Sequence, residues 1–238
     1  MAPPVRRGRR TVPARIVPGS QIVVVPIGSW EQHGSHLPHD TDSLIAESLV
    51  DAAIEGLDGD DFVVAPTIAI SASDEHAGFP GLLSAGTDAT AGMLVSIARS
   101  ASAWARGTVL VSGHGGNSDA LARARAVLHE ENVPHSMWWP RTIPGHDGDL
   151  HAGWIETSVM LHIAPDLVDL ARADAGASGD PAGLMARMRD RGVAAVSANG
   201  IIGDPRGATA VDGEAIHARW VEALVACLDE ARRRWPLR

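Results

Sequence analysis

Short runs of β-branched residues alternate with longer amphipathic stretches along most of the chain. The short runs predict buried strands over 21–28, 62–70, 108–113 and 133–139. Helical spacing of apolar residues predicts helices over 41–57, 88–107, 118–132, 153–165, 184–192 and 212–234. Strands that alternate with helices indicate a layered α/β fold with a mostly parallel sheet.

The composition limits the class of protein. The chain has 238 residues, 45% of them hydrophobic, and a formal net charge of −9, which argues against a general nucleic-acid surface. A single cysteine excludes a disulfide framework and a cysteine-based zinc site. No apolar run approaches the roughly 20 residues that span a bilayer. We therefore expect a cytoplasmic protein without a membrane or nucleic-acid partner.

The first twenty residues differ from the rest. They hold a cluster of four arginines, and Pro13 and Pro18 interrupt any apolar stretch that would make a secretory signal. We expect 1–20 to be a flexible basic tail and 21–238 to be a single catalytic domain.

The stretch GSWEQHGSHLPHDTD, residues 28–42, holds three histidines and three carboxylates but no Lys or Arg. A surface loop usually mixes both signs of charge. Burial of unpaired carboxylates costs several kcal/mol. A bound cation would supply the charge that the local sequence lacks.

Three polar clusters follow three predicted strands. GSWEQHGSHLPHDTD follows the first, SASDEHAGFPG the second and HGGN the third. In open α/β sheets, ligands bind at the carboxyl ends of the strands. We expect the three clusters to form one site.

Four residues of these clusters are candidate metal ligands. Glu31 and His33 are two apart, so an extended segment puts both side chains on one side. Asp42 stands at the start of a predicted helix, where an anion is favoured, and could bridge two ions. His114 follows the third strand. Imidazole together with carboxylate suits Zn²⁺, Mn²⁺ or Fe²⁺ better than Ca²⁺.

The segment HAGWIETS, residues 151–158, adds two candidates. Glu156 could complete a second ion or could only interact with the helix dipole. His151 could act as a general acid that protonates a leaving amine, or could be a capping or surface imidazole.

Five further residues are candidates for a substrate pocket. His76 could line it, although a plain loop is nearly as consistent with the sequence. Asn117 could steady an oxyanion together with the HGGN backbone. Trp154, Trp30 or Trp138 could pack against an aromatic part of the substrate, or could belong to the core.

The motifs PIGSWEQHGSHLPHDTD, EHAGFPG, SGHGGN and HAGWIETS, in this order, resemble the creatininase (creatinine amidohydrolase) family. The resemblance covers roughly residues 21–165. It implies a three-layer α/β/α sandwich, a homo-oligomer that is commonly a hexamer, and hydrolysis of amide C–N bonds with two divalent ions per subunit. One ion would take Glu31, Asp42 and His114, and the other His33, bridging Asp42 and a further carboxylate.

One position departs from the family pattern. In creatininase itself the further carboxylate lies two residues after the histidine that matches His114, where this chain has Gly116. The resemblance to HGGN members makes Glu156 the better candidate. The missing carboxylate also puts creatinine in doubt as a substrate.

The segment MRDRGVAAVSANGIIGDPRGATA, residues 188–210, is similar to a branch of the family that serves mycofactocin biosynthesis. That resemblance implies cleavage of a modified ribosomal peptide near its C-terminus, which releases a crosslinked Val–Tyr-derived unit. Two alternatives stay open. One is another amidohydrolase of the family, acting on creatinine or on a pyrimidine formamide. The other is a metal-binding protein without turnover.

Overall fold

A computed structural model describes residues 16–57 and 59–237. Most of the predicted basic tail therefore lies outside the described residues. Four parallel strands form one sheet in the order β2-β1-β3-β4. They are β1 Ile22–Ile27, β2 Phe62–Val64, β3 Gly107–Ser112 and β4 His135–Trp138.

Six α-helices of the described chain accompany the sheet. They are α1 Thr41–Glu55, α2 Thr87–Ser102, α3 Ser118–Glu130, α4 Trp154–Ile163, α5 Pro181–Arg191 and α6 Ala210–Arg234. None of them is long and apolar enough to cross a bilayer. Side chains alternate across each strand, so successive residues face opposite sides of the sheet.

The sheet is covered on both faces. Val23, Val25 and Leu110 pack against α2 and α3. On the other face, Val24 and Val109 join a larger core with residues of α1, α4 and α6. This is the three-layer α/β/α sandwich that the family resemblance implies. It leaves the carboxyl ends of the strands open to polar loops.

Most element boundaries lie within three residues of the sequence prediction, and two differ by more. The second strand was expected to continue to residue 70, but β2 ends at Val64, because Pro66 has no N–H for the ladder. Ile68 makes only an isolated bridge to Ile27. The sequence predicts that Gly107 ends α2, but α2 ends at Ser102 and Gly107 opens β3. A Cβ built on Gly107 would lie 2.4 Å from the Trp235 ring, so glycine is needed for this packing.

Candidate metal centre

The carboxyl ends of three adjacent strands bring the three polar clusters together. Glu31 and His33 lie in the loop after β1, and Asp42 lies in the first turn of α1. A single 3₁₀ turn, Asp74–His76, follows β2. His114 lies two residues after the end of β3. The parallel topology therefore assembles residues that are far apart in the sequence.

Two of the carboxylates are buried. Glu31 is fully buried and Asp42 is 1% exposed. Ser29 Oγ donates a hydrogen bond to Asp42 Oδ2 at 2.6 Å, but neither oxygen of Glu31 has an aligned hydrogen-bond donor. Within the described chain, only histidines form ion pairs with these two residues. Such burial is costly unless positive charge is close by.

Asp42 lies between two histidines. Its Oδ1 is 3.3 Å from His33 Nε2, and its Oδ2 is 3.0 Å from His114 Nδ1. The two contacts use different oxygens. The Asp42 carboxylate can therefore bind a cation with each of its two oxygens. The N-terminus of α1 stabilises its negative charge.

Main-chain carbonyls orient three of the histidines. His33 Nδ1, His114 Nε2 and His151 Nε2 lie 3.2, 3.0 and 2.8 Å from a carbonyl oxygen. The three oxygens belong, in that order, to Glu31, Ala72 and Gln32. A carbonyl can only accept, so each of these nitrogens carries a proton. The other ring nitrogen faces a carboxylate of the centre, Asp42 for His33 and His114 and Glu31 for His151. A main-chain partner on the outer nitrogen is how proteins usually hold metal-ligating histidines.

The charged groups change one another's pKa. Burial alone would lower the pKa of His33, but Asp42 raises it to about 9. Burial also disfavours a charged His114, yet Glu31 and Asp42 hold its pKa well above the usual value. Burial would raise the pKa of Asp42, but the two histidines keep it well below its usual range. The site thus favours positive charge next to these carboxylates, which a divalent cation would also provide.

The first turn of α4 adds a third carboxylate, Glu156. Glu156 Oε2 accepts a hydrogen bond from the N–H of Ala152 at 2.6 Å and lies 4.0 Å from His33 Nε2. Ala152 adopts φ 52°, which is uncommon for a residue other than glycine. Burial raises the pKa of Glu156 to about 7. Burial, together with His33, holds the pKa of His151 well below its usual value.

Four overlapping groups of side chains have ligand atoms within 4.8 Å of one another. They are Glu31, His33 and Asp42; His33, His151 and Glu156; Glu31, Glu75 and His114; and Glu31, His76 and His151. The unpartnered oxygens of Glu31 belong to three of the four groups. Imidazole mixed with carboxylate is a donor set for transition metals, so these residues fit a divalent ion.

Two of the residues predicted to line a substrate pocket are buried. His76 is 2% exposed, and its Nε2 lies 3.1 Å from Glu31 Oε1. Asn117 is fully buried. Its Oδ1 accepts from the N–H of Ala72, and its Nδ2 donates to Ser112 Oγ. Asn117 therefore ties two strand-end loops together.

The tryptophans proposed for substrate contact have different surroundings. Trp154 is half-buried, stacks on His146 at a centroid distance of 4.2 Å and donates from Nε1 to Gly207 O. Trp138 is buried in the core on the α1 side of the sheet. Trp154 thus keeps an accessible ring face at the entrance to α4.

Glu75 is a residue of the centre that sequence reasoning missed. Its Oε1 lies 3.3 Å from His114 Nε2. A Cβ built on Gly116 would lie 1.7 Å from that oxygen, so the glycine leaves the space that the Glu75 carboxylate occupies. Two signals were present in the sequence. Glu75 precedes His76 in a motif already noted, and Gly116 lacks the carboxylate of the family pattern.

Comparison with known proteins gives consistent matches over most of the chain. The family profile described as creatininase, creatinine amidohydrolase, matches residues 10–228. The mycofactocin precursor peptide peptidase of Mycolicibacterium smegmatis is 49% identical over 218 residues, which are 90% of this chain and 86% of that protein. The creatinine amidohydrolase of Pseudomonas putida is 29% identical over 187 residues, 67% of this chain and 70% of that protein.

Solved structures share the fold. A putative creatinine amidohydrolase from Bacteroides fragilis has a TM-score of 0.74 at 28% identity, covering 89% of each chain. A structure described as creatininase with Mn has a TM-score of 0.71 at 24% identity, covering 92% of each chain, which supports the fold alone. With a profile match from residue 10 to residue 228, the chain belongs to the creatininase family.

Proposed function

We propose that this chain is a divalent-metal-dependent peptidase. It hydrolyses an amide bond near the C-terminus of the modified mycofactocin precursor peptide and releases the crosslinked Val–Tyr-derived unit. The observation that carries the chemistry is Asp42, whose two oxygens meet one nitrogen each of His33 and His114. The substrate assignment is supported by 49% identity to a relative named for this peptide.

Two ions per subunit, Fe²⁺, Zn²⁺ or Mn²⁺, complete the proposal. Glu31, Asp42 and His114 would hold one, and His33, Asp42 and Glu156 the other. Bound ions would lower the pKa of a coordinated water towards neutrality and polarise the amide carbonyl. The fully buried Glu31, whose oxygens lack aligned donors, supports the fit of this donor set.

His151 is proposed as the acid that protonates the departing amine. Its Nε2–H is held by the carbonyl of Gln32, so proton exchange takes place at Nδ1, which lies 3.7 Å from Glu31 Oε1. A neutral imidazole can accept a proton from the attacking water and give it to the amine nitrogen. Glu156 would take part in this step through the second ion, which it would hold. Water is thereby added across the C–N bond.

Hydrolysis of creatinine is the second candidate activity. The Pseudomonas putida relative named for that reaction is 29% identical, against 49% for the peptidase. Gly116 also lacks the carboxylate of the family pattern. We further propose a cytoplasmic homo-oligomer, a hexamer by family analogy, which size-exclusion chromatography with light scattering would test.

The test pairs metal analysis with peptide cleavage. Protein purified without chelator is assayed for metal per chain and then incubated with the modified precursor peptide under mass spectrometry. We expect about two ions per chain and a released C-terminal fragment, with both lost in Asp42→Ala. Bound ions with an intact peptide would redirect the assay to creatinine and formamide substrates. Protein that takes up no divalent ion would refute the proposal.

A further inference from the structure

Gln32 lies between two residues of the centre, Glu31 and His33, and its side chain is buried. Its amide is within hydrogen-bond distance of one group of its own loop and of groups from three other segments. These groups are the Gly34 N–H, the Gly200 carbonyl and the rings of His76 and His151. The donors and acceptors among them determine which nitrogen of His76 carries a proton.

The orientation of the Gln32 amide is fixed by main-chain groups. The N–H of Gly34 is 2.8 Å from Oε1 and can only donate. The carbonyl of Gly200 is 3.2 Å from Nε2 and can only accept. A flipped amide would put donor against donor and acceptor against acceptor. Gln32 Nε2 therefore donates one of its two protons to Gly200.

The second amide proton has two possible acceptors. Gln32 Nε2 is 3.1 Å from His76 Nδ1 and 3.3 Å from His151 Nε2. His151 Nε2 already carries a proton, because it lies 2.8 Å from the main-chain carbonyl of Gln32. The amide proton therefore goes to His76 Nδ1, which must be an acceptor.

This assignment sets His76 apart from its neighbours. A neutral imidazole that accepts at Nδ1 carries its proton on Nε2, and Nε2 is the nitrogen 3.1 Å from Glu31 Oε1. His33, His114 and His151 show a different pattern, with one nitrogen donating to a main-chain carbonyl and the other turned towards a carboxylate of the centre. A protonated nitrogen has no lone pair for a metal.

We propose that Gln32 and His76 form a positioning pair for the metal centre. Gln32 fixes the tautomer of His76, so that Nε2–H faces the Glu31 carboxylate at 3.1 Å from Oε1, as an electrostatic contact that is not an aligned hydrogen bond, and this nitrogen does not bind an ion. The role of this pair depends on the metal centre of the proposed function. It does not depend on which amide bond the protein cleaves.

Zn²⁺ affinity, measured by competition with a chromogenic chelator, tests the pair without any substrate. We expect His76→Leu and Gln32→Met to bind Zn²⁺ about 10–100-fold more weakly than wild type. His76→Gln should recover most of the loss, because its amide N–H can replace Nε2–H. His129→Leu, on α3, is the control and should bind as wild type does. A His76→Gln variant as weak as His76→Leu, with one ion fewer, would make His76 a ligand and overturn the proposal.

A crystal structure of the Zn²⁺-loaded wild-type protein gives an answer even if a variant fails to fold. We expect His76 Nε2 to stay beside Glu31, with no ion at the roughly 2.1 Å of a Zn–N bond. An ion at that distance would refute the pair. A wild-type protein that binds Zn²⁺ in this way but leaves the peptide intact would refute the proposed substrate and leave the pair standing.

Discussion

At the scale of the residue, His151 presents Nδ1 to the centre because its other nitrogen is tied to the Gln32 carbonyl. We expect His151→Gln to slow peptide cleavage by about 10²–10⁴-fold, the usual contribution of a general acid. The ions should remain, because His151 is proposed as an acid and not as a ligand. Initial rates by mass spectrometry and metal analysis on the same sample measure the two effects.

The control for this prediction is His129→Gln, on the outer part of α3, which should cleave at the wild-type rate. Loss of an ion in His151→Gln would contradict the assigned role and make His151 a ligand.

Two adjacent glycines in the turn after β3 offer a matched pair. A Cβ on Gly116 would lie 1.7 Å from Glu75 Oε1 and 2.3 Å from His114 Nε2, whereas a Cβ on Gly115 meets nothing within 4 Å. We expect Gly116→Ala to weaken metal binding at least about tenfold, since it displaces both groups. Gly115→Ala should bind metal normally. Isothermal titration with Zn²⁺ compares them, and equal affinities would show that the space beside Glu75 is unimportant.

At the scale of the element, the C-terminal end of α6 is held by one buried cation. Arg106, 4% exposed, donates from Nε to Trp235 O at 2.5 Å and from a guanidinium N–H to Arg232 O. These are last-turn carbonyls without helical partners, and a cation there also complements the helix dipole. We expect Arg106→Met to lower the free energy of unfolding by about 3–6 kcal/mol, since hydrogen bonds to charged groups contribute about 1.5–3 kcal/mol each and the variant loses two.

Urea unfolding of chelator-treated protein measures this change. Arg99→Met is the matched control, because Arg99 pairs with Glu131 at the surface, where an ion pair contributes about 0–1 kcal/mol. Equal losses in the two variants would mean that the contacts of Arg106 do not anchor α6.

At the scale of the whole molecule, α6 packs against α1 and α4 around a buried histidine. His217 Nε2 lies 2.9 Å from Ser48 Oγ, and its ring is 5.4 Å from that of His162. Burial, followed by His162, lowers the pKa of His217 to about 4. Between about pH 6.5 and 4 the unfolded chain therefore binds more protons here than the folded one, and acid in this range favours unfolding.

We expect the free energy of unfolding to fall as the pH falls from 6.5 to 4, and to fall less in His217→Gln. Urea unfolding at several pH values, compared with the same two proteins at pH 7.5, isolates this contribution. Identical pH profiles would assign the acid sensitivity to other groups.

Sequence reasoning reached the order of the strands and helices and the meeting of the polar loops, because both follow from periodicity and from parallel topology. It did not reach Glu75, which approaches His114 only through the space above Gly116. Nor could it determine which nitrogen of His76 carries the proton. This depends on the Gln32 amide, whose partners His76 and Gly200 lie 44 and 168 positions further along the chain. Such contacts depend on side-chain geometry that no spacing rule encodes.

The contact between Gln32 and Gly200 also has a consequence for the order of events during synthesis. The amide that orients His76 is completed by a carbonyl 168 residues later in the chain. The ribosome must therefore synthesise most of the chain before the metal centre can be complete. This holds although domains begin to fold from the N-terminus during translation. Ions that arrive earlier meet only part of the donor set, so stable loading of metal belongs to the completed chain.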